Sequence, residues 1–292
     1  MHLHHMRPFE YFQPTELKST LQLLKEHRGK AEILAGGTDQ VVLLKAWKSQ
    51  PPVIIDIGNL QELDFITEDA SFIRIGPLTT HATLSKSPLM QQKCIALAEA
   101  ADKAGPVQIK NLGTVGGNIV SAGRCADTVP PLLCLDATLK LMNAEGERTV
   151  ALSEFSPKAR STVLGNDELL TEIKIPQPPP NTASAFLKLG RRIGHDFSIA
   201  NAAAMITLEN HVCKAARIAV GASVTAPERI MKAEDALLGR ELTSDNIEKA
   251  AALAAGEISP ISDFRASSEY RREVSKVLVR RVLEAVRIRL GG

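Results

Sequence analysis

The chain has 292 residues, 44% hydrophobic and 23% charged, a composition typical of a globular protein long enough for two domains. A net charge of +2 and an aromatic content of 4% exclude the basic, aromatic-rich surface of a typical nucleic-acid-binding protein. The four cysteines form no Cys-x-x-Cys pair, so we expect free thiols, no metal site on this chain and a reducing compartment.

The sequence contains no apolar run that would span a bilayer, and its start lacks a hydrophobic signal segment. We therefore predict a cytoplasmic location. Residues 1–5 include three histidines, which could bind a metal or be a remnant of recombinant expression, and they do not enter the functional interpretation.

The N-terminal part of the chain predicts short strands and helices without a strict alternation, which indicates an α+β fold. Leucines recur at helical spacing after Pro14, and Ala31–Leu34 is a short apolar strand. The other predicted elements are a helix over 41–47, strands over 53–57 and 72–76, a helix over 95–104, and a hairpin of 139–142 with 148–152.

The proline-rich segment 175–181 predicts a domain boundary, because consecutive prolines continue neither a helix nor a central strand. Beyond it we expect antiparallel strands followed by helices. The predicted strands cover 185–189, 202–208 and 215–220, and the predicted helices cover 233–238, 245–255 and 269–289. The arginines of the last helix lie outside its apolar stripe. They could form either an ordinary solvated face or a face that docks a partner.

Two glycine-pair motifs are the most informative feature of the sequence. Ala35–Asp39 directly follows a predicted strand, and Thr114–Asn118 repeats a similar pattern later in the same domain. Glycine has no Cβ, so backbone amides in such loops can approach and donate to a phosphate group. Each motif alone also fits an ordinary turn.

The usual catalytic and nucleotide-binding signatures are absent from the sequence. There is no Gly-x-Gly-x-x-Gly, P-loop, His-Glu-x-x-His or Gly-x-Ser-x-Gly motif. Without a nucleophile or a metal cage, two backbone-rich loops favour a protein that holds a cofactor and leaves the chemistry to it.

The motifs together resemble those of the FAD-binding middle subunit of the molybdenum hydroxylases, the xanthine dehydrogenase and aerobic carbon monoxide dehydrogenase family. The resemblance covers nearly the whole length. It is carried by segments 35–39, 111–119, 127–131, 168–176, 186–192 with Asp196, and 263–272.

The resemblance implies the residues that would bind FAD. The first loop would wrap the diphosphate through its glycine amides and the hydroxyl of Thr38, and the second loop would form the opposite wall. Asp127 would accept hydrogen bonds from ribityl or ribose hydroxyls, and Lys188 would stand near the flavin carbonyls as a stabilising cation. The full implied set is Ala35, Gly36, Gly37, Thr38, Asp39, Gln40, Thr114, Gly116, Gly117, Asn118, Ile119, Asp127, Leu170 and Lys188.

Simpler roles exist for three of these residues. Asp39 also fits a cap of the following helix, Asp127 a loop cap and Lys188 a solvated strand lysine. The sequence departs from the family at 121–127, where a frequent proline is missing and Arg124 and Cys125 stand instead. This departure bears on the geometry around Asp127.

The resemblance also implies the architecture and the activity. It implies a two-subdomain FAD-binding domain of the vanillyl-alcohol oxidase/MurB type over residues 1–176, split near residue 57, and a smaller α+β C-terminal domain over 184–292. The chain would be an oxidoreductase subunit that passes electrons from two-iron–two-sulfur clusters of a partner through FAD to an external acceptor. An iron–sulfur small subunit and a molybdopterin large subunit would complete a dimer of heterotrimers.

Two other interpretations stay open on the sequence. A stand-alone FAD-dependent oxidase or reductase would need its own acid or base, for which His81, His195 and Tyr270 are the candidates. A binding module that has lost its cofactor is less compatible with two intact glycine loops. The organic substrate and the final electron acceptor cannot be deduced from this chain.

Overall fold

The computed structural model describes residues 6–192 and 196–291, so the candidate His195 lies outside the described residues. Within these ranges, twelve strands form three separate sheets. No helix in the described ranges is both long and apolar enough to cross a membrane.

The first sheet is parallel and lies at the N-terminal end of the chain. Its strands are β1 (Glu10–Phe12), β2 (Ala31–Leu34) and β3 (Val53–Asp56), in the order β1-β3-β2. Helices α1 (Leu17–Glu26) and α2 (Gln40–Lys45) connect the strands, as parallel neighbours require. Consequently the first glycine motif lies between the end of β2 and the start of α2.

The second sheet is antiparallel and has five strands in the order β4-β5-β8-β6-β7. Its central strands alternate between the two faces, so that Leu139, Leu141, Ile173 and Ile175 are fully buried on one side. The strands are β4 (Ile66–Glu68), β5 (Phe72–Ile75), β6 (Thr138–Asn143), β7 (Gly146–Ala151) and β8 (Leu169–Pro176).

Six helices fill the long connection between β5 and β6. They are α3 (His81–Lys86), α4 (Pro88–Lys93), α5 (Ile95–Lys103), α6 (Val107–Leu112), α7 (Val115–Val120) and α8 (Val129–Cys134). A short helix α9 (Leu152–Phe155) follows β7. The second glycine motif therefore lies at the start of α7.

The third sheet and its helices form the C-terminal part. The strand order is β12-β11-β10-β9, and all neighbours are antiparallel. The elements are β9 (Thr182–Leu189), β10 (Ala200–Glu209), β11 (Val212–Gly221), β12 (Glu228–Arg229), α10 (Met231–Asp235), α11 (Ser244–Glu257) and α12 (Ser268–Arg289).

Strand β10 is buried on both faces, which explains its continuous alanine-rich sequence. Ala200, Ala202, Ala204 and Ile206 belong to the core under α12. Residues 203 and 205 belong instead to the core of the N-terminal part, together with α5 and α8. The C-terminal sheet is thus packed between its own helices and the N-terminal part of the chain.

The predicted α+β class with a C-terminal antiparallel sheet is confirmed. The predicted long strands and helices are present with bounds that differ by a few residues. The short elements β1, β4, β12, α3, α4, α6, α7, α8 and α9 are not predicted, because elements of two to six residues show no clear periodicity. The exact domain limits stay a prediction, although β8 does end at Pro176.

Candidate functional site

A cavity of about 270 Å³ lies between the two glycine motifs. Residues 35–40 form one wall, and Thr114, with residues 116–118, forms the other. Leu169 and Leu170 of β8 add an apolar surface, and His81 at the start of α3 adds an imidazole ring. The structure therefore brings the two motifs, 75 or more residues apart in sequence, around one space.

The first motif lines this cavity and contains backbone donors without a partner. Among residues 6–192 and 196–291, no atom accepts a hydrogen bond from the amides of Gly36, Gly37, Thr38 or Asp39. Gly37 has a φ of +69°, a left-handed conformation that favours glycine. Consecutive free amides in such a turn form a concave site for an anion.

Gly36 has no room for a side chain. A Cβ atom built on it would overlap the carbonyl oxygen of Leu112, the residue two before Thr114. The first motif is therefore packed backbone-to-backbone against the chain that leads into the second motif. This close approach is what makes a glycine necessary at position 36.

The second motif differs, because its amides from residue 115 to residue 118 are already paired within the protein. Thr114 caps helix α7 by accepting a hydrogen bond from the amide of Gly117 at 3.1 Å. The amide of Gly116 donates to the carbonyl of Pro77 at 2.9 Å, and a Cβ on Gly116 would overlap Pro77. These glycines thus shape the second wall rather than supply donors to the cavity.

Three polar side chains of the predicted set line the cavity and have polar neighbours. Asn118 accepts a hydrogen bond from the hydroxyl of Thr128 at its Oδ1 atom, at 2.6 Å. Asp39 stands at the N-cap position of α2 but makes no capping hydrogen bond, and its Oδ2 atom lies 3.8 Å from Arg160. Gln40 bonds to Glu32 and to Ser49, which directs it toward β2 and the end of α2.

Asp127 and Lys188 bond to each other and do not line the cavity described above. Lys188 Nζ lies 2.7 Å from Asp127 Oδ2 and donates to the carbonyl of Lys103 at 2.7 Å. Asp127 Oδ1 accepts from Ser198 at 2.6 Å and from Asn201 at 2.8 Å. This buried network joins the loop before α8 to strands β9 and β10. Ile119 also lies outside the lining, in the hydrophobic core.

The segment that departs from the family pattern contacts the C-terminal part. Arg124 pairs with Asp263 at 2.7 Å, and Cys125 Sγ lies 3.3 Å from the guanidinium of Arg265. Arg271, fully buried in α12, also bonds to Asp263. Burial raises the pKa of Asp263, but hydrogen bonds from Arg265 and Arg271 outweigh it and hold the pKa well below its usual range.

The three candidates for an acid or base are not brought together: Tyr270 does not line the cavity, and His195 lies outside the described residues. Tyr270 is half-exposed near the start of α12. His81 lines the cavity, and burial lowers its pKa to about 4, so the ring is neutral at pH 7. Sequence reasoning listed His81 only as an acid–base candidate. Its position shortly after the predicted strand over 72–76 was the available signal for a cavity residue.

Comparisons with known proteins decide the family. A family model described as the FAD binding domain in molybdopterin dehydrogenase matches residues 7–178, and one described as the CO dehydrogenase flavoprotein C-terminal domain matches residues 184–286. The chain belongs to the FAD-binding medium subunits of the molybdenum hydroxylases.

Relatives and solved structures of this family match the chain over nearly its full length. It is 34% identical to the alpha subunit of the 6-hydroxypseudooxynicotine dehydrogenase complex of Paenarthrobacter nicotinovorans, over 95% of each chain. It is 31% identical to the carbon monoxide dehydrogenase medium chain of Afipia carboxidovorans, over 96% of this chain and 97% of that one. A structure of reconstituted CO dehydrogenase from Oligotropha carboxidovorans superposes with a TM-score of 0.93 at 31% identity, covering 98% and 99% of the two chains.

These findings confirm the family, the fold class and the function expected from the sequence. This medium subunit is an FAD-binding flavoprotein of an oxidoreductase family. The free amides of the first motif and the tight glycine contacts fit a large anionic cofactor such as FAD.

Proposed function

We propose that this medium subunit binds FAD in the cavity between the two glycine motifs and passes electrons from a partner subunit through FAD to an external acceptor. FAD supplies the exchange between single-electron and electron-pair transfer when it is bound. Electrons would come from two-iron–two-sulfur clusters on a partner subunit. This chain's own residues bind and orient the cofactor and set the charge around it.

The free amides of residues 36–39 are the observation that carries the proposal. A diphosphate offers only acceptor oxygens, and these four amides offer donors without internal partners. Thr38 would add its hydroxyl. Leu170, almost fully buried, would cover an apolar part of the cofactor at the start of β8.

The walls of the cavity have defined parts in the same proposal. Gly116 and Gly117 would keep the second wall low enough for close approach, and Thr114 would fix that wall by capping α7. Asn118 would donate from its Nδ2 group, because its Oδ1 atom is already bonded to Thr128.

Asp127 and Lys188 retain capacity for the cofactor despite their mutual bond. A lysine ammonium has three donors, and Lys188 uses two of them on Asp127 and Lys103. A carboxylate has about four acceptor positions, and Asp127 uses three of them. We propose that the remaining positions face hydroxyl and carbonyl groups of FAD, as the family resemblance implies.

We further propose that the subunit assembles with an iron–sulfur small subunit and a molybdopterin large subunit into a dimer of heterotrimers. Support comes from its relatives, which include a carbon monoxide dehydrogenase medium chain and a xanthine dehydrogenase FAD-binding subunit. A cytoplasmic location is part of the same proposal, and the four unpaired thiols fit such a reducing compartment.

Purification of the tagged subunit from its native cell tests the assembly. We expect two further chains to copurify, with iron, molybdenum and FAD in fixed ratio to the subunit and a native mass of two heterotrimers. A flavoprotein that copurifies with neither metal and oxidises an organic substrate alone would contradict the proposal in favour of a stand-alone enzyme.

A further inference from the structure

His81 is fixed against the second glycine motif by its own backbone. Its amide donates to the carbonyl of Gly113 at 3.0 Å, and the preceding Thr80 forms a β-bridge with Thr114. Thr80 also caps helix α3 by accepting from the amide of Thr83. The helix start thus places the imidazole ring at the cavity, where only 4% of the residue is exposed.

The imidazole ring has no hydrogen-bond partner within residues 6–192 and 196–291, and its Nδ1 atom is buried. A buried polar group without a partner is rare in folded proteins, because its lost hydration is not replaced. Burial lowers the pKa of His81 to about 4. At neutral pH the ring is therefore uncharged and keeps one N–H donor.

The ring and the first motif meet at one point of the cavity. A carbon atom built on Gly113 would lie 3.2 Å from His81 Cδ2 and 3.4 Å from Thr38 Oγ1. The ring and the hydroxyl of Thr38 thus both lie next to the empty side-chain position of Gly113. Beyond Thr38 stand the free amides of Gly36 and Gly37. The donors around this point have no acceptor within the described protein.

We propose that His81 is a further FAD-binding residue, which donates a hydrogen bond from its neutral ring to the diphosphate. The inference rests on the proposed FAD site. A diphosphate supplies the acceptor oxygens that the ring, the Thr38 hydroxyl and the free amides all lack. On this proposal, the ring has no partner within the protein because its partner is the cofactor, and it is not merely a packing residue of the core.

Titration of flavins into the full chain tests this assignment. The variants are His81→Leu and His81→Asn, and His211→Asn is the matched control, an exposed histidine at the β10–β11 turn. Dissociation constants would be measured for FAD and for riboflavin, which lacks the diphosphate. Thermal unfolding of each variant without flavin provides the structural control.

We expect both His81 variants to bind FAD about 10-fold or more weakly, the loss typical of one hydrogen bond to a charged group. Riboflavin affinity and the control variant should not change. The melting temperature of His81→Leu without flavin should stay equal or rise, because the variant removes a buried unpartnered nitrogen.

Two results would overturn the assignment. Unchanged FAD affinity in His81→Leu would remove His81 from the binding site, and an equal loss for riboflavin would place the ring at the flavin end. Failure of the wild-type chain to bind FAD, alone or in its complex, would instead contradict the proposed function itself.

Discussion

At three glycines of the two motifs, an added Cβ atom would come too close to another part of the protein. Gly36 faces the carbonyl of Leu112, Gly116 faces Pro77, and a Cβ on Gly117 would lie 2.9 Å from Thr114 Oγ1. The sequence predicted glycines for close approach to a ligand. In the structure, these glycines instead allow close contacts between segments of the protein itself, and those contacts shape the walls of the cavity.

Replacement of Gly36 by alanine should impair both the fold and the site. The new methyl group overlaps Leu112, so either the first motif or the end of α6 must move. We expect the free energy of unfolding to fall by about 1 to 3 kcal/mol and FAD affinity to fall at least about tenfold. Urea unfolding and flavin titration measure the two effects.

Gly146→Ala is the control for this variant, because no atom lies within 4 Å of its added methyl group. Both quantities should stay within about 0.5 kcal/mol of wild type. If Gly36→Ala and Gly146→Ala had the same unfolding free energy and the same FAD affinity, the tight contact at Gly36 would be contradicted.

The buried pair of Asp127 and Lys188 gives a second prediction. Lys188→Met leaves the Asp127 carboxylate with Ser198 and Asn201 only, and we expect a loss of about 2 to 4 kcal/mol of unfolding free energy. Chemical denaturation measures the loss. FAD affinity should also decrease if Lys188 contacts the cofactor.

The exposed pair of Lys214 and Glu209 is the matched control, since its atoms are 2.6 Å apart but both side chains are more than half exposed. Lys214→Met should change stability by less than about 1 kcal/mol. A comparable cost for the two lysine variants would argue against a buried network at Asp127.

The cysteines give a third prediction at the residue scale. Burial raises the pKa of Cys94 to about 12 and that of Cys213 to about 11, and Cys134 is also fully buried. Cys125 is partly exposed. A thiol reagent at pH 8 should therefore modify one thiol per folded chain and four after denaturation. Rapid modification of Cys125→Ser in the folded state would contradict this assignment.

The sequence could indicate which residues stand at the site, but not how their donors are used. Free amides at 36–39 and paired amides at Gly116 and Gly117 come from the same kind of motif. The amide of Gly116 is paired with the carbonyl of Pro77, a contact made by tertiary packing, whereas the amide of Gly117 is paired with the hydroxyl of Thr114. No local pattern marks the contact with Pro77.

Short helices decide the geometry of the site at the scale of elements. Helices α3 and α7 have six residues each, too few for a clear apolar period, yet their first turns place His81 and the second motif at the cavity. Long elements were easier to predict. Strand β10 and helix α12 carry sustained apolar patterns, and both are present.

The loop before α12 supplies a pH-dependent prediction. The pKa of the Asp263 carboxyl is depressed in the folded chain, mainly through Arg265 and Arg271 acting against burial. A depressed pKa contributes stability that is complete above the unfolded value of about 3.9 and is lost as pH falls below it. The stability difference between wild type and Asp263→Asn should therefore be largest near pH 6 and shrink toward pH 3.

Denaturant unfolding across this pH range measures the effect. Asp64→Asn serves as the control, because Asp64 is exposed. Its stability difference from wild type should show no comparable change. A constant difference between wild type and Asp263→Asn from pH 6 to pH 3 would show that Asp263 titrates normally.

At the scale of the whole molecule, the C-terminal sheet is packed against the N-terminal part and not merely tethered to it. The two faces of β10 contribute to two different cores. Glu99 of α5 accepts from the amide of Phe186 and pairs with Arg289 of α12. The sequence predicted a boundary at the prolines, but the extent of this packing depends on contacts between distant segments.

Arg289 and Arg271 show why the arginines of the last helix could not be assigned from its sequence. Arg289 bonds across to Glu99 and Ser184, and Arg271 is fully buried beside Asp263. A helical wheel separates apolar from charged faces. It does not show which charged residue meets a partner from another segment.

The most direct test of the central claim is the visible absorption spectrum of the purified chain after FAD addition and desalting, with chromatographic identification of the released cofactor. The account predicts a retained flavin, identified as FAD, at close to one per chain. A colourless chain that retains no flavin, either alone or in its purified complex, would contradict it.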